Sequence, residues 1–150
     1  MTIPSRDFTA TTFVVEDDKV LLLWHNKMKA WLPPGGHIAE NELPEEAAVR
    51  EVLEETGLAV KLLGNRKVVG NVTVLTQPSC ILLEDIEAGH QHIDLIYFAE
   101  VSGSGEVFLN QREAARFRWY DCEQLQGDEI AEDIRHLGRR AIAAVRDHGE

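Results

Sequence analysis

The stretch GHIAENELPEEAAVREVLEETGL, residues 36–58, decides how the rest of the chain is read. Pro44 suits the first turn of a helix, where a missing N–H loses no hydrogen bond. Gly57 suits the left-handed residue that ends one. The segment therefore predicts a helix from Pro44 to about Thr56. At about 100° per residue, Glu51, Glu54 and Glu55 fall on one face, spaced i, i+3 and i+4, with Ala47 one turn earlier. Ala48, Val49, Val52, Leu53 and Thr56 fall on the other side, facing a core. Arg50 flanks the acids and stands four residues before Glu54, within ion-pair reach, and Glu45 projects away from them. Upstream, Pro33-Pro34-Gly35-Gly36 forbids regular structure and predicts an irregular, tightly turned loop.

Three neighbouring carboxylates repel one another by about 1 kcal/mol per pair at ~4 Å in water, and by several times that when partly desolvated. A hard divalent cation removes that cost. Mg²⁺ takes oxygen ligands shared among carboxylates, waters and substrate phosphates, and the glycines before the helix let backbone approach the same point. A Glu-rich helix face is usually no more than a solvated one, so the cluster alone decides little. The whole pattern decides more: Gly36, five residues, Glu42, seven residues, Arg50-Glu51, aliphatic Val52, one residue, Glu54-Glu55, one residue, Gly57 and aliphatic Leu58. Seven fixed identities and two aliphatic positions match by chance with a frequency near ~10⁻⁷ or less per chain.

Working outward, 150 residues make one domain, 1–150. Apolar residues are 44% and charged residues 27%, the balance of a globular chain, which excludes a collagen-like or wholly disordered one. A net charge of −11 argues against nucleic-acid wrapping and anionic membranes. Cys80 and Cys122 lack the spacing of a disulfide framework or a cysteine-based zinc site. The residues from Met1 to Phe8 carry no secretory signal and no apolar run spans a bilayer, so the expected compartment is the cytoplasm.

Thr9–Val15 and Lys19–Trp24 read as a β-hairpin around Glu16-Asp17-Asp18. Further strands are predicted at Ala59–Leu63, Val68–Leu75, Cys80–Leu83 and Ile93–Val101, with a short one within Ala114–Tyr120. Asp128–Val145 carries Ile130, Ile134, Leu137, Ala141 and Val145 at steps of three and four, an amphipathic helix. The expected fold class is α/β, a mixed sheet covered by helices.

The 36–58 segment resembles the signature box of the Nudix hydrolase superfamily, the MutT-like diphosphohydrolases, at every defined position. The resemblance implies an α/β/α sandwich with a mixed β-sheet between helices and a loop-helix-loop catalytic box. It implies hydrolysis, by water attack on phosphorus, of a diphosphate bond in a nucleoside diphosphate linked to another moiety: a nucleoside triphosphate, a dinucleoside polyphosphate, ADP-ribose or a nucleotide sugar. The implied cofactor is Mg²⁺, with Mn²⁺ as substitute. The implied partner is a small nucleotide, with no stable nucleic-acid complex and no membrane; a homodimer stays open. Carried over by position, Glu51, Glu54 and Glu55 match metal-binding and base-orienting glutamates, and the backbone carbonyl of Gly35 matches a further ligand. Arg50 matches the arginine that holds a box carboxylate. Glu42 matches a glutamate supporting the helix entrance, though a helix N-terminal acid is equally favoured there by the dipole.

Members often add a glutamate outside the box. Glu113, six residues before Trp119, resembles the one in the diadenosine-polyphosphate-hydrolase branch; Glu84, Glu87 and Glu100 are weaker rivals. Gly36 and His37 are candidates to touch phosphate, with a solvent-exposed histidine as the other reading of His37. Trp31 either packs under the Pro-Pro loop or stacks on a base, and Trp24 reads as core or pocket wall. His90, His92 and Asp94 share a strand face, but with no fourth ligand in view a pocket wall or local hydrogen bonding is expected of them rather than a zinc site. A non-catalytic nucleotide-binding module would have lost a box carboxylate. An isomerase would need a cysteine in a recognisable acid/base context, which neither cysteine has.

Overall fold

The computed structural model describes residues 2–149. Strand β1 (Ser5–Glu16) turns at Asp17 and Asp18, both with positive φ (51° and 61°), into β2 (Lys19–His25). Short strands β3 (Ala30–Leu32) and β4 (Gly35–His37) lead to helix α1 (Pro44–Thr56). Then come β5 (Val60–Leu62), β6 (Lys67–Val69), β7 (Val72–Val74), β8 (Cys80–Glu87), β9 (His90–Val101) and β10 (Ala114–Tyr120). A 3₁₀ turn, Gln124–Gln126, precedes helix α2 (Glu132–His148).

The main sheet runs β10-β2-β1-β9-β5, with β3 added to β2, β4 to β1 and β8 to β9. β1 and β9 are parallel from Ser5 against His90 to Val15 against Glu100, and every other pair in this sheet is antiparallel. Alternation along the strands divides the apolar residues between two faces. Phe13, Val15, Val20, Leu22, Ile96 and Phe98 meet Ile134, Leu137, Ala141 and Ile142 of α2. On the opposite face Val14, Leu21, Leu23 and Ala99 pack with Val52 and Leu58, and Ala10 and Tyr97 with Ala47 and Ala48 of α1. Each fully buried Leu, Ile or Phe contributes about 1.5–3 kcal/mol, so the sheet is anchored from both sides. This is the expected sandwich.

Helix α1 begins with Pro44, and Glu46 Oε1 accepts a 3.0 Å bond from the Leu43 N–H. It ends at Gly57 with φ 74°. Its buried stripe differs from the expected one. Glu45, Ala47, Ala48, Val52, Glu55 and Thr56 are buried, whereas Leu53 is 53% exposed. Leu53 lies one step round the wheel from Val52, off the line that faces the sheet, and Glu55 falls on that line.

Two further expectations are corrected. Gly35 and Gly36 do not lie in an irregular loop; they form β4, paired with Thr11 and Ala10. A Cβ on Gly35 would stand 2.6 Å from Thr11 Oγ1, so glycine is what permits the strand to close there. Val68–Leu75 is not one strand but the β6–β7 hairpin, which reverses at Gly70 (φ 61°) and Asn71 to pair Val69 with Val72. Among the described residues no helix is long and apolar enough to cross a membrane.

Candidate active site

The site starts from how α1 is held against β4. Gly36 lies so close to α1 that an added Cβ would meet the Glu51 carboxyl at 2.5–2.7 Å. One turn later, Glu55 Oε2 accepts the Gly35 N–H at 3.1 Å. The two glycines thus hold a strand edge against two helix carboxylates. From the other side comes the turn before β10: the Asn110 N–H donates to the Glu55 carbonyl at 2.9 Å, and the Glu113 N–H donates to the Asn110 carbonyl at 3.1 Å. Glu113 is thereby carried to the Glu55 side chain.

Arg50 is the hub of the box. Its Nε and Nη2 donate to the two oxygens of Glu42 at 2.7 and 3.0 Å, a bidentate fork. Nη1 reaches Glu51 Oε1 at 2.9 Å and Glu54 Oε2 at 3.1 Å, and Nη2 also reaches the His37 carbonyl at 3.0 Å. Glu42 is itself fixed by the Ala39 N–H at 3.0 Å. The guanidinium holds the Glu42 carboxyl below its usual range, and Glu42 in turn raises the Arg50 pKa.

The carboxylates facing inward behave in the opposite way. Burial pushes the Glu51 pKa up, against the pull of Arg50. Glu55, 6% exposed, is pushed up to about 10 by burial first and by Glu113 and Glu51 next, with the Gly35 N–H opposing. Without a cation, then, Glu55 holds a proton at neutral pH. Three carboxyl groups converging around a single backbone N–H are a donor set suited to a hard cation. This fits the divalent cation that the resemblance implies.

These groups open into a cavity of about 970 Å³, ample for a nucleotide. Gly35, Gly36, His37, Glu51, Glu55 and Glu113 line one wall. Phe13, Leu82, Ile96, Ile134 and Leu137 provide an apolar one. Beyond it lies a carboxyl pair. Asp94 accepts the Thr9 hydroxyl at 3.0 Å and the Thr11 hydroxyl at 2.9 Å, while Glu84 beside it is pushed up to about 8 by burial and then by Asp94.

The structure therefore brings together Gly35, Gly36, His37, Glu51, Glu55 and Glu113, with Arg50 and Glu42 behind them. Glu54 is half-exposed, tied to Arg50, and does not line the cavity. Of the rivals to Glu113, Glu84 lines the far wall, Glu87 is exposed, and Glu100 pairs with Val15 at the opposite end of the strands. Of the two readings of Trp31, packing is the one this geometry matches, and the residue does not line the cavity. It pairs opposite Trp24 across β2–β3, and its ring packs edge-on against Trp24 and Tyr120 (centroids 5.5 and 5.7 Å) with the Arg116 guanidinium over it. Leu32 and Pro33 line the cavity instead. Sequence reading missed Thr9, Thr11 and the Glu84–Asp94 pairing. The available signal was an acid at position 84 in phase with Cys80 and Leu82, the inward residues of β8.

Comparison with known proteins agrees with this geometry. The NUDIX domain family matches residues 6–141. A probable DHNTP pyrophosphohydrolase of Lactococcus lactis is 32% identical over 65% of this chain and 56% of its own length. A putative 8-oxo-dGTP diphosphatase of Bacillus subtilis is 30% identical over 75% of this chain and 66% of its own. The chain thus spans roughly half to two-thirds of these relatives. A crystal structure of a NUDIX-family hydrolase from Clostridium perfringens superposes with a TM-score of 0.83 at 36% identity, covering 94% of this chain and 99% of that one.

Proposed function

Because the chain belongs to the Nudix hydrolase family, we propose that it is a Nudix-type pyrophosphohydrolase that cleaves, with Mg²⁺, a diphosphate bond of a nucleoside diphosphate linked to another moiety. The observation that carries this reading is the convergence of Glu51, Glu55 and Glu113 on the Gly35–Gly36 edge inside a nucleotide-sized cavity.

Glu51, Glu55 and the Gly35 carbonyl would hold the cation, with Glu54 contributing from its tether on Arg50. A cation held there would supply Lewis-acid chemistry, drawing charge from phosphorus and lowering the pKa of an attacking water. Arg50 keeps Glu51 and Glu54 oriented, and Glu42 keeps Arg50 in place. Glu113, exposed at the mouth beside Glu55, takes the proton from the attacking water. Gly36 and His37 contact the phosphate chain. The base lies against Phe13, Leu82 and Ile96, where the Glu84–Asp94 pair meets its polar edge. A carboxyl pair that shares a proton both donates and accepts, which suits a ring edge carrying amide and amino groups. The names of the two relatives put DHNTP and 8-oxo-dGTP among the substrates to try. The products are a nucleoside monophosphate and a phosphorylated remainder.

The test is a hydrolysis panel with Mg²⁺ and with Mn²⁺: ordinary and 8-oxo nucleoside triphosphates, DHNTP, dinucleoside polyphosphates, ADP-ribose and nucleotide sugars, with products separated by chromatography. Cleavage of at least one diphosphate, abolished by thorough chelation, is the expected result. Inertness towards the whole panel, or turnover that survives chelation, would refute it.

A further inference from the structure

Three histidines lie outside the machinery just described, or only at its border, and strand register gathers them. Parallel pairing sets Ser5 opposite His90 and Asp7 opposite His92, and antiparallel pairing sets His37 of β4 opposite Thr9. Alternate residues of a strand share a face. Asp7, His37, His90 and His92 therefore meet on one face of the sheet, although they come from three separate strands, β1, β4 and β9.

The contacts are specific. Asp7 Oδ2 lies 3.1 Å from His37 Nε2 and 3.2 Å from His90 Nε2. The His92 ring stands edge-on to both other rings, with centroids 5.1 Å from His37 and 5.3 Å from His90. One ligand atom from each of Asp7, His37 and His92 lies within 4.8 Å of the others. Ser5 Oγ is 2.8 Å from His90 Nδ1, which leaves His90 Nε2 directed at Asp7. A ring held by a hydroxyl on one nitrogen and turned to Asp7 with the other is the kind of outer partner that orients a ligating carboxylate.

We infer that Asp7, His37 and His92 form a site for a divalent transition ion of the zinc class, with His90 hydrogen-bonded to Asp7 and positioned by Ser5. Two imidazoles and one carboxylate suit Zn²⁺ and its borderline neighbours, whereas Mg²⁺ keeps to oxygen donors. The site is therefore chemically distinct from the glutamate centre, and it stands whether or not the proposed substrate class is right. Zinc–ligand bonds of ~2.0–2.2 Å require the three donors to close in slightly, which the exposed His37 side chain (63%) permits. His37 and His92 both line the large cavity, so a coordination position left free by three protein ligands faces the substrate space. His37 also directly follows Gly36, the residue packed on Glu51, so an ion here would pin the strand that the glutamate centre leans on.

The test is Zn²⁺ titration of the metal-free chain by calorimetry in excess Mg²⁺, with bound metal counted by mass spectrometry and folding checked by circular dichroism. One Zn²⁺ per chain is expected. His37→Gln and His92→Gln should each weaken binding by more than the ~10–100-fold that follows loss of an outer-shell partner, and His90→Gln, which removes the partner of Asp7, by about that amount. Glu51→Gln should bind Zn²⁺ as wild type does. His37 is exposed, so its variant folds and the inference stays open to refutation. It is overturned if wild type takes up no Zn²⁺, if both histidine variants bind it unchanged, or if Glu51→Gln alone abolishes uptake.

Discussion

Gly36 and Glu51 are packed so that a methyl group on the glycine would occupy the place of the carboxylate, 2.5 Å from Cδ and 2.6 and 2.7 Å from the two oxygens. The clash is with the far end of a flexible side chain, not with backbone. Gly36→Ala should therefore displace Glu51 while leaving β4 and the core intact. The expected result is a melting temperature within a few degrees of wild type and a kcat lowered by ~10²-fold or more, the scale for one misplaced catalytic group. Thermal denaturation and steady-state kinetics on one preparation check both.

Arg50 bonds Glu42, Glu51, Glu54 and the His37 carbonyl at once. Only a planar fork reaches all of them. Arg50→Lys keeps the charge and loses the fork, so kcat should fall by at least ~10-fold with a smaller change in KM. A lysine variant with wild-type kcat would show that charge alone suffices.

The buried carboxyls give stability a pH dependence of definite sign. The Glu55 pKa stands at about 10 when folded, against an ordinary 4.5, so the folded chain binds more protons than the unfolded chain between those values. Stability should fall as pH rises across that window. Glu84, at about 8, adds to the same trend over the lower part of it. Saturating Mg²⁺ binds the folded state preferentially and should flatten the slope; Glu55→Gln should remove most of the part that Mg²⁺ affects. Melting curves in chelator and in Mg²⁺ over the neutral to alkaline range measure this. A melting temperature that rises with pH in chelator would contradict the assignment.

Glu84→Gln tests the far wall. It removes a carboxyl that burial and Asp94 keep from ionising, so stability should hold or rise in mildly alkaline solution. The ratio of kcat/KM between nucleotides with different bases should shift by up to ~10-fold, the worth of about one neutral hydrogen bond. A preserved base preference would place the base elsewhere.

The box was legible because its chemistry is local. The helix, its Pro44 start, its Gly57 stop and the Arg50–Glu54 pairing all follow from spacing along one element. Leu53 was misread because a wheel with no sheet beside it cannot say which flank of the apolar face is buried. Gly35 and Gly36 looked like punctuation, yet they form a strand, because the decisive fact is how closely Thr11 and Glu51 approach. Asp7, His37 and His92 were illegible as a group: their meeting depends on β1–β9 and β1–β4 register, which no short window contains. Trp31 was placed by its pairing with Trp24, likewise a register effect.

The central claim is that the α1 carboxylates facing β4 hold the cation of a diphosphate hydrolase, and Glu55→Gln tests it most directly. The change keeps size and helical propensity and removes the buried charge that Glu51 and Glu113 crowd. It should be assayed with Mg²⁺ beside Glu106→Gln, an exposed acid outside the cavity, with circular dichroism on the same preparations. The predicted result is two folded proteins, the control turning over as wild type and Glu55→Gln reduced by ~10²-fold or more. Wild-type turnover by a folded Glu55→Gln would contradict the claim.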